Sequence, residues 1–397
     1  MIDTDLAAPP DFPLTRQAAL DRLADFLPHA GADYAANRNF DHGSGQHSAV
    51  SRLSAALRRR LISEQHVVHA AIERHGFRGA EKFVSEVFWR TYWKGWLEQR
   101  PSIWRDYQAL VAAFDAERTR DDALDRRYRE AIEGRTGIDC FDHWVRELND
   151  TGYLHNWSRM QVASIWTFTL RLPWALGADW TLSRFIDGDP ASNTLSWRWV
   201  AGLHTAGKAY FASTERIALM TRGRFHPQGL AASFAVPPEP LPPATPLRQL
   251  SPPATQVPAL LLITAEDLSL ETEPLVAALP IRAIATLKRR NQWDEIAIAD
   301  AARRAELHWQ LPVTDLNTDD PVSSAVAVAQ SNGCGQVVTA FAPIGPTADQ
   351  LAEIRAGLDQ AGLLLAEHLR DWDRRAWPHC RRGFFALKET IPDLLTA

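Results

Sequence analysis

Residues 236–258 divide the chain into two stretches that cannot share one folding pattern. They carry VPPEPLPPATP and SPPATQVP. Proline at this density removes backbone donors and fixes φ, so the segment reads as a stiff interdomain linker over 236–256. Before it, apolar residues recur with a helical period and little alternates with a period of two, which predicts an all-helical domain over 1–235. After it, the apolar runs PALLLIT, IRAIAT and QVVTAF are separated by helical patterns near 293–307, 320–332 and 347–361. Strand alternating with helix predicts a parallel-sheet α/β domain over 257–397. The turn at 333–335 is too short for a phosphate-binding fingerprint and reads as an ordinary connection.

In the helical half, LTRQAALDRLADFLPHAG offers Thr15 as an N-cap, with Leu20, Leu23 and Phe26 on one face. A second helix is expected over 48–62. A long amphipathic one over 77–97 carries Phe83, Phe88, Trp89, Tyr92, Trp93 and Trp96. Further helices are expected near 105–132, 139–150, 156–172 and 178–187. The 397 residues leave room for two or three domains. Three widely spaced cysteines (Cys140, Cys334, Cys380) argue against a disulfide framework or a cysteine-ligated metal and fit a reducing compartment. MIDTDLAAPPDFP is not a basic-then-apolar leader, and no apolar run is long enough to span a bilayer. A cytoplasmic protein without a membrane partner is expected, with no metal.

The net charge of −5 argues against a generic polyanion binder. Residues 1–250 hold 30 Lys and Arg against 29 Asp and Glu, whereas the remainder holds 13 against 19. Any phosphate-contacting surface is therefore expected in the first part, where Arg58, Arg59, Arg60, Arg222 and Arg224 cluster; solvated helix faces are the plainer reading. Of 15 tryptophans, 11 fall between Trp89 and Trp199. That density suits a large helical core, and equally a planar cofactor or stacked bases.

In FIDGDPASNTLSWRW, Asp189 followed by Pro190 is by pattern alone a helix cap and first turn. D-G-D-x-A-x-N followed by W-x-W also resembles the flavin-contacting core of the photolyase/cryptochrome family, and the resemblance runs in the family's order over residues 10–230. Ser51, Arg52, Leu53 and Ser54 in HSAVSRLSAAL resemble the segment that holds the FAD diphosphate. By themselves they read as a Ser-capped helix. Val50 replaces the threonine usual there, which removes one phosphate hydrogen bond. Tyr34 in DYAANRNF corresponds to a family tyrosine near the cofactor, and is otherwise a core or surface aromatic.

FVSEVFWRTYW resembles the helix that carries a carboxylate, a tryptophan and an arginine toward the family's cavity, here Glu86, Trp89 and Arg90. Without the resemblance, Glu86 and Arg90, four apart, form a surface ion pair. TGYLHNWSRMQVAS resembles the next signature. Asn156 matches an asparagine at the cavity floor, Arg159 the partner of Asp187, and Met160 a cavity methionine. Trp157 stands where an arginine to the lesion or DNA is common. Asp189 matches a flavin contact and Asn193 the residue beside flavin N5, asparagine being the photolyase-like choice. Trp197 matches the first member of the family's electron relay and Trp174 the second. No tryptophan stands at the third position, near Asp121, so either another aromatic such as Trp180, Trp157 or Trp104 completes the path or the relay is shorter.

The resemblance implies FAD as cofactor, leaves a second antenna chromophore open, and implies damaged DNA as partner, with Glu86, Trp89, Asn156, Met160 and Trp199 at the lesion. Familiar members place the α/β domain first, so the order here implies a permuted arrangement or an unrelated appendage. Three functions stay open: light-driven repair of a flipped-out pyrimidine dimer, a cryptochrome-like sensor with a protein partner, and a helical binding module that has lost the cofactor.

Overall fold

The computed structural model describes residues 12–205, 208–233, 240–287 and 291–396. The expected lead at 1–11 and linker residues 236–239 lie outside the described residues. Helices α1 (Arg16–Phe26), α2 (Ala32–Asn37), α3 (Ser54–Arg58), α4 (Glu64–Glu98), α5 (Ser102–Arg118), α6 (Asp122–Ile132), α7 (Asp139–Thr151), α8 (Asn156–Ser164), α9 (Trp174–Arg184), α10 (Pro190–Val200) and α11 (Thr214–Met220) come first. Five strands follow, β1 (Ala259–Ile263), β2 (Ile281–Thr286), β3 (Val313–Asp315), β4 (Gln336–Ala340) and β5 (Leu364–His368). Between and after them lie α12 (Pro274–Ala277), α13 (Gln292–Trp309), α14 (Pro321–Ser331), α15 (Pro346–Gln360), α16 (Asp371–Ala376) and α17 (Phe384–Thr396). Helices precede a parallel sheet, as the two patterns require.

Local chemistry explains where the elements depart from periodicity. Thr15 caps α1 by accepting from Ala18 N at 3.3 Å. The helix expected over 48–62 shrinks to five residues because Arg52 and Arg60, with φ of 56° and 49°, take left-handed conformations on either side. Gly76 (φ 68°, ψ 160°) breaks α4, so the long amphipathic helix begins beside Phe77. The stretch 105–132 divides where Asp121 accepts from Ala123 N and Leu124 N and starts α6.

Two compact units form. One comprises residues 12–28, 51–98 and 246–396, the other residues 29–50 and 99–245. Segment 51–98, which pattern groups with the helical domain, makes its contacts with the sheet segment. In this first unit the sheet order is β3-β2-β1-β4-β5 with every pair parallel. Leu260 of β1 faces Ala283 on one side and Val337 on the other, and both β1 and β4 are buried throughout. Ala325 and Ala329 of α14 and Leu351, Ile354 and Leu358 of α15 close the core with Leu260, Leu262 and Leu365. The Pro-rich residues beyond 246 run as a strap held by hydrogen bonds: Ala254 N donates to Gln336 Oε1 at 2.9 Å, and Glu367 N to Ser251 O at 2.9 Å.

The cluster Arg58, Arg59 and Arg60 corrects the expectation of a basic phosphate surface. All three are buried. Arg58 pairs with Glu266 in two hydrogen bonds of 2.7 and 2.9 Å, Arg59 with Asp294 at 2.7 Å, and Arg60 with Asp373 at 2.5 Å and Glu64 at 3.0 Å. Glu266, Asp294 and Asp373 follow the carboxyl ends of β1, β2 and β5. Burial raises both the Asp373 and the Glu64 carboxyl; it prevails in Asp373, while Arg60 and Lys94 hold Glu64 below its ordinary value. The second pair in that expectation is also engaged: Arg224 lies 3.1 Å from Asp41, and Arg222 sits over the Phe40 ring at 5.1 Å.

Among its described residues the second unit holds helices and loops and no strand. Its buried polar centre is Asp41, which accepts from Trp144 Nε1 at 2.7 Å, Ser158 Oγ at 2.8 Å and Gly43 N at 2.8 Å. Nearby, His47 bonds Glu147 at 2.7 Å and its ring stacks on His155 at 5.8 Å. His155 Nδ1 accepts from Trp157 N at 3.3 Å and caps α8. Burial holds the His155 imidazole at about 4.

Removing one partner of a buried ion pair strands the other. Arg59→Met is expected to lower stability by about 3–5 kcal/mol, and Arg59→Met with Asp294→Leu to recover most of it; urea unfolding of the three proteins checks this. For His155 the folded pKa of about 4 lies below the ordinary 6.5. The unfolded chain therefore takes the proton first as pH falls. Stability is expected to decline between pH 6.5 and 4, by on the order of 3 kcal/mol, and this contribution levels off below pH 4. The difference between the pH profiles of wild type and His155→Gln measures it.

Candidate functional site

In the first unit, residues 51–54 form a turn rather than a helix. The left-handed Arg52 lets Ser51 Oγ accept from Leu53 N at 3.4 Å, with Leu53 fully buried. Helix α3 opens at Ser54, whose buried Oγ has no hydrogen-bond partner among the described residues. Two guanidinium groups hold the segment's carbonyls: Arg22 donates to Ser51 O at 2.8 Å and Arg90 to Ser54 O at 3.4 Å. On α4, Glu86, Trp89 and Arg90 are half-buried. The Trp89 ring is stacked on Phe384 of α17, centroids 3.9 Å apart and planes 11° apart, with Tyr92 edge-on at 5.5 Å.

In the second unit, Arg159 and Asp187 come together as expected. Arg159 Nη1 donates to Asp187 Oδ1 at 3.1 Å and its Nε to Leu154 O at 2.9 Å, while the guanidinium lies 3.9 Å over the Phe185 ring. The pair is thus fixed by a carboxylate, a carbonyl and an aromatic face. Asp189 accepts from Ser192 N at 2.8 Å and starts α10 with Pro190 in its first turn. One turn on, Asn193 Nδ2 donates to Ala178 O at 2.7 Å and its Oδ1 lies 3.1 Å from the Thr181 hydroxyl, whose one proton is shared with Gly177 O at 2.9 Å. A carboxamide has two N–H groups and two lone pairs, so one of each is left. Thr181 Oγ1 also accepts from Trp197 Nε1 at 3.0 Å. Gly177 completes this arrangement: a Cβ there would stand 2.4 Å from the Trp197 ring and 2.8 Å from that of Trp166.

The remaining expected residues distribute as follows. Tyr34 is buried with Arg38 at 5.8 Å over its ring, Asn156 is exposed at the start of α8, and Met160 is half-buried on the same helix. Trp199 tilts against Tyr210 at 5.5 Å. Trp197 meets Trp166 edge-on at 6.1 Å, and Trp166 stacks on Trp180 at 5.9 Å. Trp174 stacks instead on Tyr107 at 5.8 Å, which tilts against Trp104. Trp157 packs inward against Trp144 and is 3% exposed. Sequence reasoning passed over Trp166, Thr181, Gly177 and Phe384. The signal available for Gly177 was its place in WALGADW, between two tryptophans. Phe384 carried none, because its contact lies almost three hundred residues away.

Each unit, taken by itself, carries groups whose chemistry suits part of a flavin nucleotide. A buried Ser54 hydroxyl without a partner opens a helix, which suits an oxyanion. The Asn193 carboxamide is clamped on one side and keeps a donor and an acceptor for a ring nitrogen. Among the described residues no group of His, Cys, Asp and Glu is arranged to hold a metal ion, and no helix is long and apolar enough to cross a membrane.

Residues 83–229 match the family model described as the FAD binding domain of DNA photolyase. A deoxyribodipyrimidine photo-lyase of Streptomyces griseus is 38% identical over 158 residues, covering 40% of this chain and 33% of that protein. One from Thermus thermophilus is 35% identical over 201 residues, covering 49% of this chain and 44% of that protein. The solved class III photolyase of Agrobacterium tumefaciens is 31% identical, covers 53% of this chain and 42% of its own, and superposes with a TM-score of 0.43. The chain spans less than half the length of each. Over residues 83–229 the chain thus carries the FAD-binding domain of the photolyase family, and its cofactor is FAD.

Proposed function

We propose that the protein repairs DNA with light, passing an electron from reduced FAD to a pyrimidine dimer flipped out of the duplex. The Asn193 carboxamide carries this reading: it is pinned by Ala178 and Thr181 with one donor and one acceptor spare, and asparagine is the repair-type choice beside flavin N5. The relatives named deoxyribodipyrimidine photo-lyase support it. Bound and reduced, FAD supplies the light-excited electron; the chain's own groups do the rest.

Ser51, Leu53 and Ser54 offer a hydroxyl and backbone donors to the diphosphate, with Arg90 holding their carbonyl side. Tyr34, Arg159, Asp187 and Asp189 position the cofactor, Arg159 and Asp187 as a pair. Asn156 and Met160 face the lesion bases, while Trp89 and Trp199 provide aromatic faces for them. Dimer bases cannot react from within the stack, so they must leave it. Glu86, when protonated, donates a hydrogen bond to the charge that develops on the dimer. Trp197 donates electrons toward the cofactor, and its edge contact with Trp166 makes Trp166 and Trp180 the next carriers, with Trp174 on a separate aromatic track. The α/β segment is read as a permuted counterpart of the family's leading domain. A sensor is the second reading, favoured by one observation: Trp157, in place of a DNA-contacting arginine, is buried in the core.

Arg159→Ala is expected to weaken FAD retention about a hundredfold, because it removes the guanidinium held between Asp187 and the Phe185 ring, breaking a largely buried pair at about 3–5 kcal/mol. Equilibrium dialysis of refolded protein against FAD measures it. Photoreduced wild type is expected to restore dimer-containing single- and double-stranded oligonucleotides under blue light. Absence of restoration on both, with reduced FAD bound, leaves the sensor reading.

A further inference from the structure

We propose that helix α17 is a removable cap, which holds Phe384 on the face of Trp89 where a base of the flipped dimer stacks. This rests on the repair reading of Trp89. The contact has the geometry of a base on an indole: two flat rings 3.9 Å apart between centroids and 11° from parallel. Phe384 is buried, Trp89 half-buried, and Tyr92 meets Phe384 edge-on at 5.7 Å, so the phenyl ring sits in an aromatic slot. An aromatic ligand at that face must expel it.

The attachment of α17 is built to be reversible. Phe384, Leu387 and Ile391 are its buried apolar residues, while the neighbouring Phe385 is 74% exposed. Lys388 Nζ pairs with Glu81 of α4 at 2.8 Å, a bridge with both partners partly in solvent. The chain enters the helix through Gly383, around which an added Cβ would meet nothing within 4 Å. Near the far end of the helix a cavity of about 220 Å³ is lined by Gln65, His69, Phe88, Trp372, Arg375 and Leu394, and Arg375 donates to Leu394 O at 2.5 Å. Three buried apolar residues, a partly exposed ion pair and a cavity beside the last turns mark an element that opens at lower cost than the sheet core.

The test uses full-length protein with FAD bound, in the dark, and two labelled single-stranded oligonucleotides, one with a single thymine dimer and one undamaged. Lys388→Glu breaks the bridge without touching the aromatic slot; Phe384→Ala empties the slot. Fluorescence anisotropy is expected to show each variant binding the dimer about tenfold more tightly, the worth of one base stack. Affinity for the undamaged strand should not rise. For Lys388→Glu this gain runs against electrostatics, since a positive charge has been removed. Adding Glu81→Lys should restore the bridge and return the dimer affinity to the wild-type value. If wild type and both variants bind the dimer equally, the cap is overturned and the repair reading stands. If none binds it, the repair reading falls and the cap with it. Lys388→Glu keeps the test decisive should Phe384→Ala fail to fold.

Discussion

The first unit depends on three consecutive arginines buried against carboxylates that follow the ends of its strands. In an open parallel sheet ordered β3-β2-β1-β4-β5, the strand order reverses between β1 and β4, and ligands of such folds bind beyond the carboxyl ends at that point. Here Glu266, Asp267, Asp294 and Asp373 lie beyond carboxyl ends, and arginines of the protein itself take the positive role. Arg370 adds to them, bonding Asp267 at 2.5 and 2.8 Å. A buried guanidinium without a carboxylate is prohibitively desolvated, and the reverse holds for each acid. Neither segment 51–98 nor the strand ends can therefore be exchanged for an apolar equivalent one residue at a time. The turn at 51–54 is joined to these arginines through α3 and is itself held by Arg22 and Arg90.

A smaller constraint organises the second unit. Thr181 is bonded to both Trp197 and Asn193, and Gly177, one turn earlier on α9, lets the Trp197 ring lie against the helix backbone. Helix α10 is thereby docked to α9 through one hydroxyl and one missing side chain. The same contact sets the direction of the Asn193 carboxamide and the tilt of the indole. Their orientation is thus a property of helix packing, and a substitution at Thr181 would disturb both side chains together.

The alternation of strand and helix after the linker was legible because buried parallel strands read as continuous apolar runs; β3, only three residues and mostly exposed, left no such run. Cap chemistry at Thr15 and Asp189 was equally local and equally readable. The failures share one cause, pairing across long sequence separations. Arg58, Arg59 and Arg60 look like a solvated basic stripe until Glu266, Asp294 and Asp373 are placed beside them, more than two hundred residues on. The short α3 failed for a backbone reason, left-handed conformations at Arg52 and Arg60, which residue type does not advertise in arginine. Among the site residues, the Arg159–Asp187 pair was visible through motif order, while Trp166 became a neighbour of Trp197 only through the close approach allowed by Gly177.

The buried pairs also change what the charge distribution means. Along the chain the first 250 residues carry a slight positive excess and the rest a negative one. Arg58, Arg59 and Arg60 belong to the first part, and their partners Glu266, Asp294 and Asp373 to the second. Much of the asymmetry is therefore complementarity consumed inside the first unit. Charges neutralised there release no counterions from a nucleic acid, so they contribute nothing to nonspecific affinity. A chain with a net charge of −5 whose densest arginine cluster is internal must recognise DNA, if it does, less by phosphate attraction than by what it can stack and hydrogen-bond. On the proposed repair reading, access to the face of Trp89 then weighs more heavily than it would in a strongly basic protein, because less electrostatic affinity is present to offset an obstructed stack.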